Sequence, residues 1–181
     1  VKEGIRCSTA NAYLKPVMHR QNLTVITHAL TKRIILEDKK AVGIEYERNG
    51  LIHEVRANRE GILSAGSIGS PHILQMTGIG PAEVLKNAGI DVIHEMPGVG
   101  ENLHDHLESV IQYETKLPVS LNRHMGPFGK FLIGARWYLF KSGLGATNHF
   151  ESTGFIRTRA GLKWPNVQFH FLPAVGRYDG K

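Results

Sequence analysis

Apolar and polar residues alternate along this chain with two different periods. Residues 23–28 (LTVITH), 33–37 (RIILE), 41–46 and 51–55 are rich in β-branched positions and read as strands. Asn49 and Gly50 lie between the last two. Both tolerate positive φ, so the pair predicts a tight hairpin. Residues 61–64 continue as a short buried strand. Ser70-Pro71 predicts a capped helix through Met76, and Gly80-Pro81 predicts a second one ending at Gly89, each with proline at the first helical position. Residues 90–94 return to a strand pattern. Upstream, Ser8 or Thr9 caps a short helix over residues 8–19 that is interrupted near Pro16.

The pattern changes character near Asp105. Residues 109–115 (SVIQYET) alternate as a strand and 118–129 form a loop. Phe131, Leu132, Ala135, Tyr138 and Leu139 recur at helical spacing within residues 128–141. Residues 150–157 and 167–172 read as two further strands. The expected fold is therefore α/β plus α+β, with residues 1–105 as one portion and 106–181 as the start of a second, sheet-and-helix portion. No internal repeat or low-complexity segment interrupts this order.

Composition narrows the function classes. The 181 residues carry a formal charge of +6, but the Lys and Arg residues are scattered and no basic run is interleaved with aromatics. Nucleic acid is thus not an expected partner. No run of 18 apolar residues reads as a membrane span. Cys7 is the one cysteine, which excludes an internal disulfide and suits a reducing compartment. The chain opens at Val1 without Met and stops just after a strand-like segment, so an internal fragment of a longer protein is expected.

The closest punctuation falls between Arg59 and Leu107. In Ser64-Ala65-Gly66-Ser67-Ile68-Gly69-Ser70-Pro71 a strand ends, small residues turn, and a helix begins. Exposed N–H groups at a helix start, with the positive end of its dipole, suit a phosphate. A tight strand-to-helix turn without any ligand has the same pattern, and spacing alone does not separate the two. His104-Asp105-His106 offers two imidazoles and a carboxylate, yet no further His or Cys sits at a recognisable ligand spacing. A capped turn is the preferred reading there, and no metal is expected.

The same residues carry a resemblance. Gly66, Ser70-Pro71, Ile73-Leu74 and Thr77-Gly78-Ile79-Gly80-Pro81 resemble the second signature of the glucose–methanol–choline (GMC) family of FAD-dependent oxidoreductases, with Thr77 where Ser is usual. Pro97-Gly98-Val99-Gly100-Glu101-Asn102-Leu103, followed by Asp105-His106, is similar to a second run of that family. Asn22-Leu23-Thr24-Val25 and Ala41-Val42-Gly43-Ile44 fit the same order. The segments Gly143 to Glu151, Gly154 to Arg157 and Trp164 to Pro173 are most similar to choline-oxidising members. The resemblance covers nearly the whole chain.

It implies part of an FAD-binding Rossmann-like domain joined to part of a substrate-binding domain. FAD is the implied cofactor, and a small alcohol, choline first and another primary alcohol second, is the implied substrate. The family's reaction sends the carbinol hydride to the flavin, and related enzymes carry the aldehyde on to glycine betaine. A non-catalytic binding domain that keeps the fold is the other alternative. The cofactor-side residues carried over by motif are Ala29 and Leu30, whose backbone runs near the adenine, and Ser64, Ala65, Gly66, Ser70 and Pro71. The Gly-rich fingerprint for the pyrophosphate and the late His motif that supplies the base are not in these residues. No catalytic residue is assigned here, and the fragment alone is expected to be inactive. A cytoplasmic location, peripheral attachment to the inner membrane and a homodimer covering the open half-sheet are further expectations.

Two residues are candidates on the substrate side. Glu151 stands between Phe150 and Phe155, where burying an unpaired carboxylate is costly. A trimethylammonium alcohol would relieve that cost, with the aromatic faces adding cation–π attraction. The alternative is a surface carboxylate paired with Arg157 or Lys141. His170 lies between Phe169 and Phe171 on a strand, so it faces away from Val167, Phe169 and Phe171. That face is either solvent or the cavity in which a histidine would hydrogen-bond the alcohol oxygen.

Overall fold

A computed structural model describes residues 1–174. The chain divides into two units, one of Thr24–Glu108 and one of Val1–Leu23 with the residues from Ser109 onward.

The Thr24–Glu108 unit is built on an antiparallel meander of β1 (Leu30–Glu37), β2 (Lys40–Arg48) and β3 (Leu51–Arg56). Asn49 and Gly50 form the β2–β3 turn with φ of 54° and 76°, as the hairpin signal predicts. The β1–β2 turn has the same geometry at Asp38 and Lys39, with φ of 48° and 65°. Asp-Lys is a poor match to the usual turn pairs, so the sequence pattern misses it. Cross-strand pairs flank the meander: Lys32–Glu47 at 3.2 Å, Arg33–Glu45 at 2.9 Å, and Arg56–Glu37. The hydrogen bond to Glu45, then its charge, raises the Arg33 guanidinium above the ordinary arginine value. Such exposed pairs fix register more than they stabilise.

Two expected strands are absent as sheet members. Residues 23–28 and 61–64 are irregular and mostly exposed. A strand forms only where a neighbour accepts its N–H and C=O groups, and no strand among the described residues pairs with either segment.

Beyond the meander come α1 (Gly66–Met76), β4 (Ile79–Gly80), α2 (Ala82–Asn87) and β5 (His94–Glu95). The β4–β5 pair is the parallel pairing of the unit, with Ile79 opposite His94 and Gly80 opposite Glu95. The expected strand over residues 90–94 thus shrinks to its last residue and moves one beyond. Pro81 is the residue before α2, in extended conformation, rather than the first helical residue. α2 ends at Gly89, φ +70°, where Ile90 N–H reaches Leu85 C=O at 2.9 Å and Gly89 N–H reaches Lys86 C=O at 3.0 Å. That double bond pattern is a Schellman stop, and it folds Ile90 back over Leu85. Leu85 is fully buried and packs beside Gly80, where a Cβ would stand in ordinary contact with it at 3.6 Å. Tyr46 and Val99 complete the buried apolar set among the described residues.

In the other unit, residues 8–19 form a π-helical turn (Ala10–Leu14) followed by a 3-10 turn (Lys15–Val17) that holds Pro16. Residues 109–115 make no sheet, and Tyr113 is 89% exposed. α3 (Pro127–Phe140) follows with Pro127 at its first position. Trp137 Nε1 donates to Gly4 C=O at 2.7 Å, and Lys141 Nζ lies 4.0 Å from the Trp137 ring centre. The apolar stripe read from the sequence, Phe131, Leu132, Tyr138 and Leu139, is exposed. β6 (Ser152–Ile156) and β7 (Val167–Phe171) pair antiparallel. The fold is α/β plus α+β in its mixture of elements. No helix among the described residues is long and apolar enough to cross a membrane.

Candidate functional site

The chain enters α1 through exposed Ser64 and Ala65, and Gly66 begins the helix with φ of +87°. Nothing lies within 4 Å of where a Cβ of Gly66 would be. Ala65 N–H donates to Ser70 Oγ at 3.0 Å. The Ser70 hydroxyl therefore braces the turn from inside the helix instead of capping a helix that starts after it. This corrects the expected start: the residue before the helix is Ala65, and Pro71 sits in the second turn. Proline cannot donate to the carbonyl four residues back, Ser67 C=O. Ser67 is exposed, so water reaches that carbonyl and the helix continues. With Ala65 N–H taken by Ser70 Oγ, the N–H groups left over at the helix start belong to residues 66–68, and no side-chain cap meets them.

An open cleft of about 470 Å³ runs along this helix. Ser67, Ile68, Pro71, His72 and Gln75 form one side, and residues 100–104 form the other. The two family-like motifs thus face each other across one space, which their separation in sequence does not reveal. Gln75 ties the sides together, its Nε2 donating to Val99 C=O at 3.2 Å. The roles of Gln75, His72 and residues 100–104 were not legible in the sequence; the signal was the second glycine-rich run itself, which reads as a motif without a location. Gly100 needs its φ of +88°, and a Cβ there would lie 2.8 Å from Gln75 Nε2.

Of the cofactor-side candidates, Pro71 lines the cleft, while Ser64, Ala65, Gly66 and Ser70 gather at the head of the helix beside it. Ala29 is half-buried just before β1, and Leu30, its first residue, is 63% exposed. Neither lines the cleft. His106 N–H donates to Asp105 Oδ1 at 2.8 Å, and the His104-Asp105-His106 run is irregular, without the expected turn. Among the described residues no three His, Cys, Asp or Glu side chains come together to hold a metal ion.

The substrate-side candidates lie at the β6–β7 pair. His170 is opposite Thr153, and its ring meets Phe150 edge-on at 5.5 Å and 67°. It is exposed on the face it shares with Gln168 and Phe155. Glu151, one residue before β6, is also exposed. The premise that its charge is buried among aromatics is corrected accordingly: water solvates it. The paired alternative does not hold either. Arg157 donates to Lys163 C=O at 3.2 Å, Lys141 sits over Trp137, and Glu151 forms no ion pair among the described residues.

Known proteins match this chain closely. Over its whole length it is 58% identical to a protein of Photobacterium profundum named oxygen-dependent choline dehydrogenase, of which it covers 32%. Among solved structures, an FAD-dependent oxidoreductase from Chaetomium thermophilum matches 76% of this chain and 24% of its own at 28% identity, with a TM-score of 0.61. A variant of formate oxidase from Aspergillus oryzae, studied for FAD modification, matches 87% of this chain and 27% of its own at 26% identity, with a TM-score of 0.73. The chain spans about a third of the length of the curated relatives it matches. The family model of GMC oxidoreductases matches residues 1–108, and with both glycine-rich runs meeting across one cleft, the chain belongs to the GMC oxidoreductase family.

Proposed function

We propose that this chain is part of an FAD-dependent alcohol dehydrogenase that oxidises choline to betaine aldehyde. The observation that carries the reading is the 58% identity over 181 residues with a protein named oxygen-dependent choline dehydrogenase. The residues present fit the cofactor. Ser64, Ala65 and Gly66 are small and exposed, the space where a Gly66 side chain would stand is open, and the uncapped N–H groups of residues 66–68 suit an anionic or carbonyl-rich group. FAD, when bound, supplies the hydride-accepting redox chemistry.

The protein's own residues bind and orient. The turn at residues 64–66 lets the cofactor approach the backbone closely, and Pro71 and Ser67 shape the adjoining cleft wall. The Ala29 and Leu30 backbone is assigned to the adenine side by family resemblance. Glu151, solvated and unpaired, is free to take the trimethylammonium group of choline. His170, presented with Phe150 at its edge, holds the alcohol oxygen by a hydrogen bond. No catalytic base is assigned to these residues. Cytoplasmic residence, a peripheral membrane contact and self-association extend the proposal; fractionation and sedimentation of the full-length protein check them.

The test uses the purified full-length enzyme. It should be yellow, and anaerobic choline should bleach its flavin bands. A colourless protein that takes up no FAD sinks the enzyme reading and leaves a binding domain. Glu151→Gln should raise the KM for choline at least tenfold with little change in that for an uncharged alcohol. An unchanged choline KM points to another primary alcohol.

A further inference from the structure

The cleft beside α1 has one wall on a helix and the other on a strap, and one polar side chain of the helix bonds directly to that strap. Gln75 lies in the last turn of α1, its amide donating to Val99 C=O at 3.2 Å. It is wedged between two glycines: a Cβ on Gly80 would lie 3.1 Å from its Cγ, and a Cβ on Gly100 would lie 2.8 Å from its Nε2. Both glycines border the Gln75 side chain. Gly100 then leads directly into the strap residues 101–104, which line the cleft with Gln75 itself. The strap's base is tied to β4 by Met96 N–H donating to Gly80 C=O at 2.9 Å, and Val99 is buried; beyond that base, Val99 N–H to Met96 C=O at 3.1 Å and Glu101 N–H to Gly98 C=O at 3.3 Å are internal to its own turn.

We infer that Gln75 is a positioning residue that sets the width of the cofactor-side cleft, by holding the strap at residues 99–104 against α1. The inference rests on the FAD reading above and adds to it the far wall of the site and the group that locates that wall. The backbone at Val99 offers a carbonyl, so the side chain facing it must donate. Glutamine does; glutamate donates only when protonated; methionine, of similar length, does not.

This yields a test with a pH signature. In the full-length enzyme, Gln75→Met should weaken FAD binding about 3- to 10-fold, the range expected for one lost hydrogen bond, and alter the visible circular dichroism of the flavin even when excess FAD keeps every site filled. Gln75→Glu should show the same loss at pH 8, where a carboxylate opposes the Val99 carbonyl. It should recover toward the wild-type signal as pH falls toward about 5, since a free glutamate titrates near 4.3 and the facing carbonyl favours its protonated form. The methionine variant should not recover. Wild-type affinity and dichroism in Gln75→Met overturn the inference. So does a variant that is merely less stable, with an unaltered flavin signal in the filled state. If Gln75→Met fails to fold, the pH recovery of Gln75→Glu decides alone. A wild-type protein that binds no FAD overturns the FAD reading itself, and the inference with it; that outcome is distinct because it precedes any substitution.

Discussion

The Thr77 hydroxyl accepts the backbone N–H of Ile34 at 2.9 Å while donating to Ile73 C=O at 2.7 Å. One side chain thereby closes the end of α1 and satisfies an outward N–H of the edge strand β1. Thr77 is 5% exposed, so water cannot replace it. Thr77→Val keeps the shape and strands the Ile34 N–H, with an expected cost of about 1–3 kcal/mol. Thr77→Ser keeps both hydrogen bonds and loses one methyl, about 0.8 kcal/mol. Urea midpoints of the full-length protein should therefore fall in the order wild type, Ser, Val. A valine variant as stable as the serine variant would show that the hydroxyl does not join helix to strand.

Two glycines with similar backbone angles should respond unequally to alanine. Gly78 has φ of +89°, and a Cβ there would lie 2.5 Å from Asp91 C=O and 3.0 Å from Ile93 Cγ1. Gly89 has φ of +70° with nothing within 4 Å. Both substitutions meet the left-handed penalty of about 1–2 kcal/mol. Only Gly78→Ala must also push backbone apart, adding about 1–3 kcal/mol. Equal midpoint shifts for the two variants would contradict the packing at Asp91.

The difference between these glycines shows what the sequence carries and what it withholds. Turn chemistry is local, so the Asn49-Gly50 hairpin and the stop at Gly89 are legible from residue types alone, whereas α3 is legible from its apolar spacing over residues 128–141 and begins at Pro127, within the expected loop over 118–129. Sheet membership is not local. Residues 61–64 and 109–115 have strand-like composition, yet pairing depends on a neighbour that composition cannot supply. The start of α1 was misplaced for a related reason. Ser70-Pro71 has the chemistry of a helix start, but the Ser70 hydroxyl is used five residues back, at Ala65 N–H. At the site, each glycine-rich run was legible as a motif, while their meeting across one cleft depends on Gln75, an ordinary helical residue in sequence.

Leu85 should be the most sensitive apolar position of the Thr24–Glu108 unit. It is fully buried under the Schellman stop and against Gly80. Leu85→Ala should cost about 2–5 kcal/mol, and Leu85→Met under about 1.5 kcal/mol because volume is nearly kept. Thermal melts of the full-length protein check the pair. Ala and Met variants melting together would mean that the pocket does not depend on shape.

Among the described residues large apolar side chains are exposed, including Phe131, Leu132, Tyr138 and Leu139 on α3 and Phe155, Phe169 and Phe171 on the β6–β7 pair. The buried apolar side chains among the described residues, Tyr46, Leu85 and Val99, cannot offset a chain entropy of about 1–2 kcal/mol per residue. Expressed alone, the 181-residue chain should bind the dye ANS strongly and unfold in urea without a cooperative step. The full-length protein should bind little dye and give an m-value of at least about 2 kcal/mol/M, because m follows the surface exposed on unfolding. A sharp, dye-free transition from the isolated chain would mean that these apolar faces find cover among its own residues.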